Sequence, residues 1–170
     1  MKKYQKRVRL REFSYKGYYR YFITIIADRK KKIFCISDAE APNYIGNEIV
    51  ERILKVLKDL SVVYQFIVWA YCFMPDHFHM LIEGKSPDSD MKELIFKFKQ
   101  KTAFEFKKVY QERLWQENYY EHVLRKSEDT RKVARYIFEN PIRKGLSQAV
   151  LDYPYIGSFE VNIKDLCFSM

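Results

Sequence analysis

Residues 66–83 read FIVWAYCFMPDHFHMLIE, and this stretch decides the fold. Its first part, Phe66–Phe73, is an almost continuous apolar run, which is typical of a central strand covered on both faces. Pro75-Asp76 interrupts the run, and His77–Glu83 then resumes as a second strand. The stretch therefore predicts a hairpin of two strands at the centre of a sheet.

Two of the three histidines of the chain lie at the start of the second strand. Successive side chains of a strand point to opposite faces, so His77 and His79 share one face and Phe78 takes the other. Two imidazoles side by side on a rigid strand are half of a metal site. The remaining ligands have to come from another element.

The regions around the hairpin alternate between strand and helix patterns. We predict strands at 21–27, 33–36 and 115–125, and helices at 47–60, 90–110 and 128–140. Ser127 supplies a hydroxyl cap for the last helix, with acids in its first turn, and Pro141 stops it. Leaving the short 33–36 segment aside, the order β-α-β-β-α-β plus one helix predicts an α+β, ferredoxin-like (split βαβ, RRM-like) fold. Its antiparallel sheet would carry helices on one face, and the extra helix would follow.

The chain of 170 residues fits one compact domain, residues 1–170. Residues 1–20 mix basic and aromatic side chains and form a basic arm. This arm either lies on a phosphate backbone or is a solvated tail that leads into the first strand. Residues 141–170 are a tail that we expect to wrap back on the domain.

The charge favours a polyanionic partner. Lys and Arg number 31 against 22 Asp and Glu, which gives a net charge of +9 and a pI near 9.3. Nucleic acid is favoured over a membrane surface, although a basic surface that binds nothing is the alternative. The candidate DNA contacts are Arg7, Arg9, Arg11, Lys97, Lys101, Arg143 and Lys144.

The three cysteines, Cys35, Cys72 and Cys167, show no CxxC spacing and indicate a reducing compartment. No apolar run approaches the length of a membrane span, and the basic N-terminus lacks the apolar stretch of a signal peptide. We therefore expect a cytoplasmic protein without membrane association.

A tyrosine and an asparagine share one face of the last predicted helix. Tyr136 and Asn140 are spaced i, i+4, so their side chains lie one turn apart. A tyrosine on such a helix usually packs, and an asparagine before a proline is often only a helix end. The pair becomes a candidate site if the helix lies over the sheet face that bears His77 and His79.

Three blocks of sequence resemble a known family in their order and content. They are MPDHFHMLIEG at 74–84, WQENYYEHVLR at 115–125 and ARYIFENPIRKGL at 134–146. Together they resemble the single-tyrosine HUH transposases of insertion sequences, and more closely the REP-associated tyrosine transposases. GYYRYFITIIADRKKKIF at 17–34 is also similar, whereas the tail at 147–170 is the least similar part.

The resemblance implies a metal-dependent endonuclease and strand transferase that acts on single-stranded DNA at hairpin-forming repeats. It implies that His77 and His79 bind Mg²⁺ or Mn²⁺, that Asn140 completes the metal shell and that Tyr136 is the nucleophile. The expected intermediate is a covalent 5′-phosphotyrosine. The resemblance also implies a homodimer in the bacterial cytoplasm, associated with the nucleoid.

Two other functions stay open at this stage. The third histidine, His122, could join His77 and His79 in a catalytic zinc site, which would make the protein a zinc-dependent hydrolase. Alternatively, the chain is a non-catalytic nucleic-acid-binding module of the same fold. The apolar run Phe66–Phe73 fits either a core strand or a dimer interface.

Overall fold

The computed structural model of the protein describes residues 12–34 and 45–168. The strands within these ranges are β1 (Arg20–Ala27), β2 (Phe66–Met74), β3 (His77–Gly84), β4 (Trp115–Val123) and β5 (Ile156–Gly157). The helices are α1 (Ile45–Val63), α2 (Met91–Tyr110), α3 (Thr130–Phe138), α4 (Asn140–Arg143) and α5 (Ile163–Phe168). The predicted α+β class is confirmed.

The described strands form one antiparallel sheet in the order β4-β1-β3-β2-β5. The register sets Thr24 of β1 between His79 of β3 and Tyr120 of β4, with Cys72 of β2 on the far side of His79. Residues directly opposite each other point to the same face. We call the face that bears His77 and His79 the site face.

Helices α1 and α2 cover the other face of the sheet. Their buried apolar residues recur at helical spacing, and each fully buried side chain of this kind contributes roughly 1.5–3 kcal/mol. The main contacts of this core come from Ile49, Ile53, Leu57, Leu94, Ile95 and Phe98 of the helices and from Tyr21, Ile23, Ile25, Phe78, Met80 and Ile82 of the strands. No helix in the described ranges is long and apolar enough to cross a membrane.

Helix α3 packs on the site face. Ala134, Ile137 and Phe138 are spaced i, i+3 and i+4, are fully buried, and meet the apolar side chains of β2 and β3, including Cys72 and Leu81. The sheet is therefore covered by α1 and α2 on one face and partly by α3 on the other. The helix that carries Tyr136 does lie over the face with the histidines.

Both predicted ends of the last long helix were wrong. The N-cap is Asp129, whose carboxylate accepts a hydrogen bond from the Arg131 amide at 2.7 Å, rather than Ser127. Helix α3 ends at Phe138, but Pro141 does not stop helical structure. It lies in the first turn of α4, where the N–H that proline lacks would have no helical partner.

The predicted strand at 33–36 is not a strand in its described part. Ile33 and Phe34 have no strand pairing, and the Phe34 amide donates to the Pro75 carbonyl at 3.0 Å while its ring is buried in the core. Cys35 and Ile36 lie outside the described residues.

The tail returns to the sheet, as predicted. The hydroxyl of Tyr153 donates to the Phe73 carbonyl at 2.8 Å, and the Phe73 amide donates to the Tyr155 carbonyl at 2.9 Å. Strand β5 then pairs with β2, where Gly157 lies so close to the Tyr71 hydroxyl that no Cβ would fit. Strand β5 thus covers β2 at Tyr71 and Cys72, and alternate residues of the apolar run are buried in the core.

Candidate active site

The two strand histidines face each other on the site face. The Nε2 atoms of His77 and His79 are 3.1 Å apart, and the rings are nearly perpendicular, with centroids 4.6 Å apart. If two ligand atoms each lie about 2.1 Å from one cation and their bonds to it form a right angle, the two atoms lie about 3.0 Å apart. The spacing of the two nitrogens therefore fits a shared divalent metal ion.

Each histidine is held by a polar neighbour at its other ring nitrogen. Nδ1 of His77 is 2.6 Å from Oδ1 of Asp76, and Nδ1 of His79 is 2.8 Å from Oγ1 of Thr24. If both Nδ1 atoms carry the proton, both Nε2 atoms present lone pairs to the same point. Such lone pairs repel each other unless a cation lies between them, and partners of this kind are common behind metal-binding histidines.

The environment of His79 favours the neutral ring. Burial, followed by electrostatic interactions with His77 and Arg143, lowers the pKa of His79 to about 3. A neutral imidazole is the form that binds metal, so His79 needs no proton release to act as a ligand.

The ring of Phe22 lies between His79 and Tyr136. Its centroid is 5.4 Å from that of His79 and 6.2 Å from that of Tyr136, and the contact with the tyrosine is edge-to-face. The side chain of Tyr136 is nevertheless 51% exposed. Helix α3 therefore presents a solvent-accessible phenol on the site face, in contact with Phe22, which itself contacts His79.

Helix α4 carries an arginine and an asparagine that both contact Tyr136. The guanidinium carbon of Arg143 is 4.0 Å from the centroid of the Tyr136 ring, and the guanidinium also donates to the Tyr136 carbonyl. The side chain of Asn140 is buried and its Nδ2 donates to the same carbonyl at 3.3 Å. That bond leaves the amide oxygen of Asn140 available as a donor for a metal.

The IS200-like transposase family model matches residues 15–140, a span that includes the histidine pair and Tyr136. The chain belongs to the IS200-like transposase family. The predicted resemblance is thereby confirmed.

Individual relatives agree with the family. The chain is 28% identical over 167 residues to a Haemophilus influenzae protein provisionally named a REP-associated tyrosine transposase, covering 91% of this chain and 86% of that one. It is 29% identical over 105 residues to the REP-associated tyrosine transposase of Escherichia coli, covering 61% of this chain and 58% of that one.

One solved structure is similar over most of the chain. It is a REP-associated tyrosine transposase bound to a REP hairpin, with a TM-score of 0.66, 19% identity, and coverage of 88% of this chain and 81% of that one. At this identity the likeness establishes the fold.

The predicted DNA contacts fall in different parts of this transposase. Arg143 lies in the site and Lys144 follows it directly. Lys97 and Lys101 lie on α2, which covers the face opposite the site, and Lys97 is 4.0 Å from Glu93. Arg7, Arg9 and Arg11 lie outside the described residues.

The third histidine is engaged elsewhere. Nε2 of His122 is 2.8 and 3.0 Å from the two carboxylate oxygens of Glu128. In the described ranges, which contain all three histidines, no three His, Cys, Asp or Glu side chains come together as a metal site. The three-histidine zinc site is therefore wrong, because His122 pairs with the loop before α3 instead.

Sequence reasoning missed four residues of the site: Phe22, Thr24, Asp76 and Tyr120. Thr24 is the one aliphatic hydroxyl in the strand YFITIIA, and Asp76 is adjacent to His77, so both gave a weak signal. Tyr120 is exposed beside Thr24 on the site face, which only the strand register reveals.

Proposed function

We propose that this IS200-like transposase is a metal-dependent endonuclease and strand transferase for single-stranded DNA. In this proposal Tyr136 forms a covalent 5′-phosphotyrosine at hairpin-forming repeats. One observation carries the proposal: an exposed tyrosine lies over the same sheet face as two histidines whose Nε2 atoms are 3.1 Å apart. The strand order β4-β1-β3-β2 of the four long strands supports the ferredoxin-like assignment.

Tyr136 is the proposed nucleophile. Its oxygen attacks the scissile phosphorus, the bond from phosphorus to the 3′-oxygen breaks, and the 3′-oxygen takes a proton from solvent to leave as a hydroxyl. The phenol proton passes to solvent, which the exposed side chain can reach. The new phosphotyrosine ester keeps the energy of the original bond, so another 3′-hydroxyl can reverse the attack and join strands.

His77, His79 and the amide oxygen of Asn140 would hold Mg²⁺ or Mn²⁺. When bound, such a cation polarises a phosphate oxygen and stabilises the charge that develops on the leaving 3′-oxygen. Asp76 and Thr24 fix the two rings so that Nε2 stays free to bind.

Arg143 has two proposed tasks. Its contacts with the ring and the carbonyl of Tyr136 limit the orientations that the nucleophile can take. Its positive charge, together with that of Lys144, suits a DNA phosphate. Tyr120, exposed on the same face, offers a ring on which a base next to the scissile phosphate can stack.

We also propose hairpin DNA as the partner and a homodimer as the working form, within the bacterial cytoplasm. The structural neighbour that binds a REP hairpin supports the choice of DNA, because it shares this fold. The homodimer rests on the family resemblance, and size-exclusion chromatography with light scattering measures it.

The experiment that tests the function is a covalent-capture assay. A single-stranded oligonucleotide pool with a fixed hairpin, randomised flanks and a 3′ fluorophore is incubated with the protein and Mg²⁺ or Mn²⁺, then denatured in SDS. We expect a labelled protein band that disappears with EDTA and in Tyr136→Phe but persists in Tyr120→Phe, the matched exposed tyrosine of the site face. Binding without any adduct would favour the non-catalytic module.

A further inference from the structure

A groove lies at the end of the sheet away from the histidines, where β1 begins and β4 ends. Two consecutive tyrosines, Tyr18 and Tyr19, line it and are 65% and 43% exposed. Arg125 and Lys126, just after β4, line it as well. Exposed rings beside cations are the combination that single-stranded nucleic acid requires, since bases stack on the rings and phosphates meet the charges.

The backbone that carries the two tyrosines is anchored on both sides. The Gly17 amide donates to the Ser89 carbonyl at 3.0 Å, and the Gly84 amide donates to the Tyr19 carbonyl at 3.1 Å. Gly17 has a φ of +110°, and Gly84 lies so close to the Gly17 carbonyl that no Cβ would fit. The rings are therefore exposed on a fixed support, which lowers the entropy cost of stacking a base on them.

The basic side chains that line the groove differ in whether they are free to contact a phosphate. Arg20 is committed, because its guanidinium donates to the carbonyls of Glu128 and Arg125 and to the hydroxyl of Thr130. Lys126 is exposed and forms no ion pair within residues 12–34 and 45–168. Lys126 therefore brings an available positive charge to the groove that the two exposed rings line.

We propose that this groove binds the single-stranded flank of the DNA substrate, with bases stacked on Tyr18 and Tyr19 and a phosphate on Lys126. This inference rests on the proposed function, in which DNA is the substrate, and adds the groove as a second place where that DNA contacts the protein. Thr24, which touches His79, is four residues along β1 from Arg20, so roughly 13 Å of strand separates the groove from the site. One short single-stranded segment can span that distance.

The test is DNA binding measured without cleavage. Fluorescence anisotropy in EDTA, on a Tyr136→Phe background, compares a hairpin with single-stranded flanks and the same hairpin with blunt ends. Loss of one stacked base costs about 1–3 kcal/mol, so Tyr18→Ala should weaken binding of the flanked hairpin at least about fivefold. Binding of the blunt hairpin should not change. Lys126→Gln should lower the slope of log affinity against log salt by about 0.7.

Phe104→Ala, which removes an exposed ring from α2 on the opposite face, is the control and should bind both DNAs normally. Unchanged affinity for the flanked hairpin in Tyr18→Ala and Tyr19→Ala would overturn the proposal. Equal losses for the flanked and blunt hairpins, or from Phe104→Ala, would overturn it as well. Because no cleavage is measured, a failure here is separate from a failure of the proposed catalysis.

Discussion

The hydrogen bond between Thr24 and His79 gives a sharp test of the metal site. Thr24→Val keeps the shape of the side chain but removes the oxygen that lies 2.8 Å from Nδ1 of His79. The ring then loses the partner that fixes its orientation and its proton on Nδ1. Removal of such a partner typically lowers metal affinity 10–100-fold, or about 1.4–2.7 kcal/mol.

Isothermal titration calorimetry with Mn²⁺ measures this loss directly. Thr102→Val is the control, because the hydroxyl of Thr102 is likewise hydrogen-bonded, to the Phe98 carbonyl and the Trp115 indole, but lies in α2 away from the site. We expect Thr102→Val to lower stability and leave Mn²⁺ affinity intact. Wild-type Mn²⁺ affinity in a folded Thr24→Val protein would refute the reasoning, as would an equal loss in the control.

Three further predictions concern the support of the site and the core. Arg20→Ala removes two hydrogen bonds to the loop before α3 and one to Thr130, the first residue of α3. At this partly exposed position the loss should cost about 1–2 kcal/mol, seen as a Tm lower by roughly 2–8 °C, and an unchanged Tm would contradict the anchoring role. Tyr21→Phe removes a buried hydroxyl that has no hydrogen-bond partner among the described residues. The substitution should raise the free energy of unfolding by about 1 kcal/mol in urea titrations. A lower free energy of unfolding would mean that the hydroxyl is hydrogen-bonded. Hydrogen bonds, first from the Arg125 amide and then from His122, lower the pKa of Glu128 from its ordinary value of 4.5. The ionised carboxylate therefore stabilises the folded protein fully above pH 4.5, and this stabilisation is lost as the pH falls below 4.5. A carboxyl NMR titration should show that pKa rising towards 4.5 in His122→Ala, and a wild-type value at or above 4.5 would count against the pair.

Much of the fold was predictable because its strands and helices carry strong periodic patterns. The apolar run of β2, the alternation after Pro75-Asp76 and the helical spacing in α1 and α2 each predicted an element that the structure contains. The predicted helix ends were wrong where one sequence feature is compatible with two local structures. Asp129 and Ser127 are both good caps, and Pro141 fits the first turn of a new helix as well as the end of an old one.

The site was predictable only in part because its residues come from distant segments. His77 and His79 share a face by strand periodicity, but nothing in a linear pattern says that α3 packs on that face. The contact of Thr24 with His79 and the position of Tyr120 on the site face depend on the register of β1 with its neighbours. His122 has the residue type of a ligand, and only the position of Glu128 in the loop shows what it binds.

The identity of the residue that becomes linked to DNA tests the central claim most directly. The trapped adduct is trimmed with nuclease, digested with trypsin and mapped by mass spectrometry. Trypsin cuts after Arg135 and Arg143, so Tyr136 is the only tyrosine of the peptide YIFENPIR. We predict a 5′-linked nucleotide on Tyr136 of this peptide. A nucleotide on the peptide Leu114–Arg125, or a 3′ linkage on any residue, would contradict it.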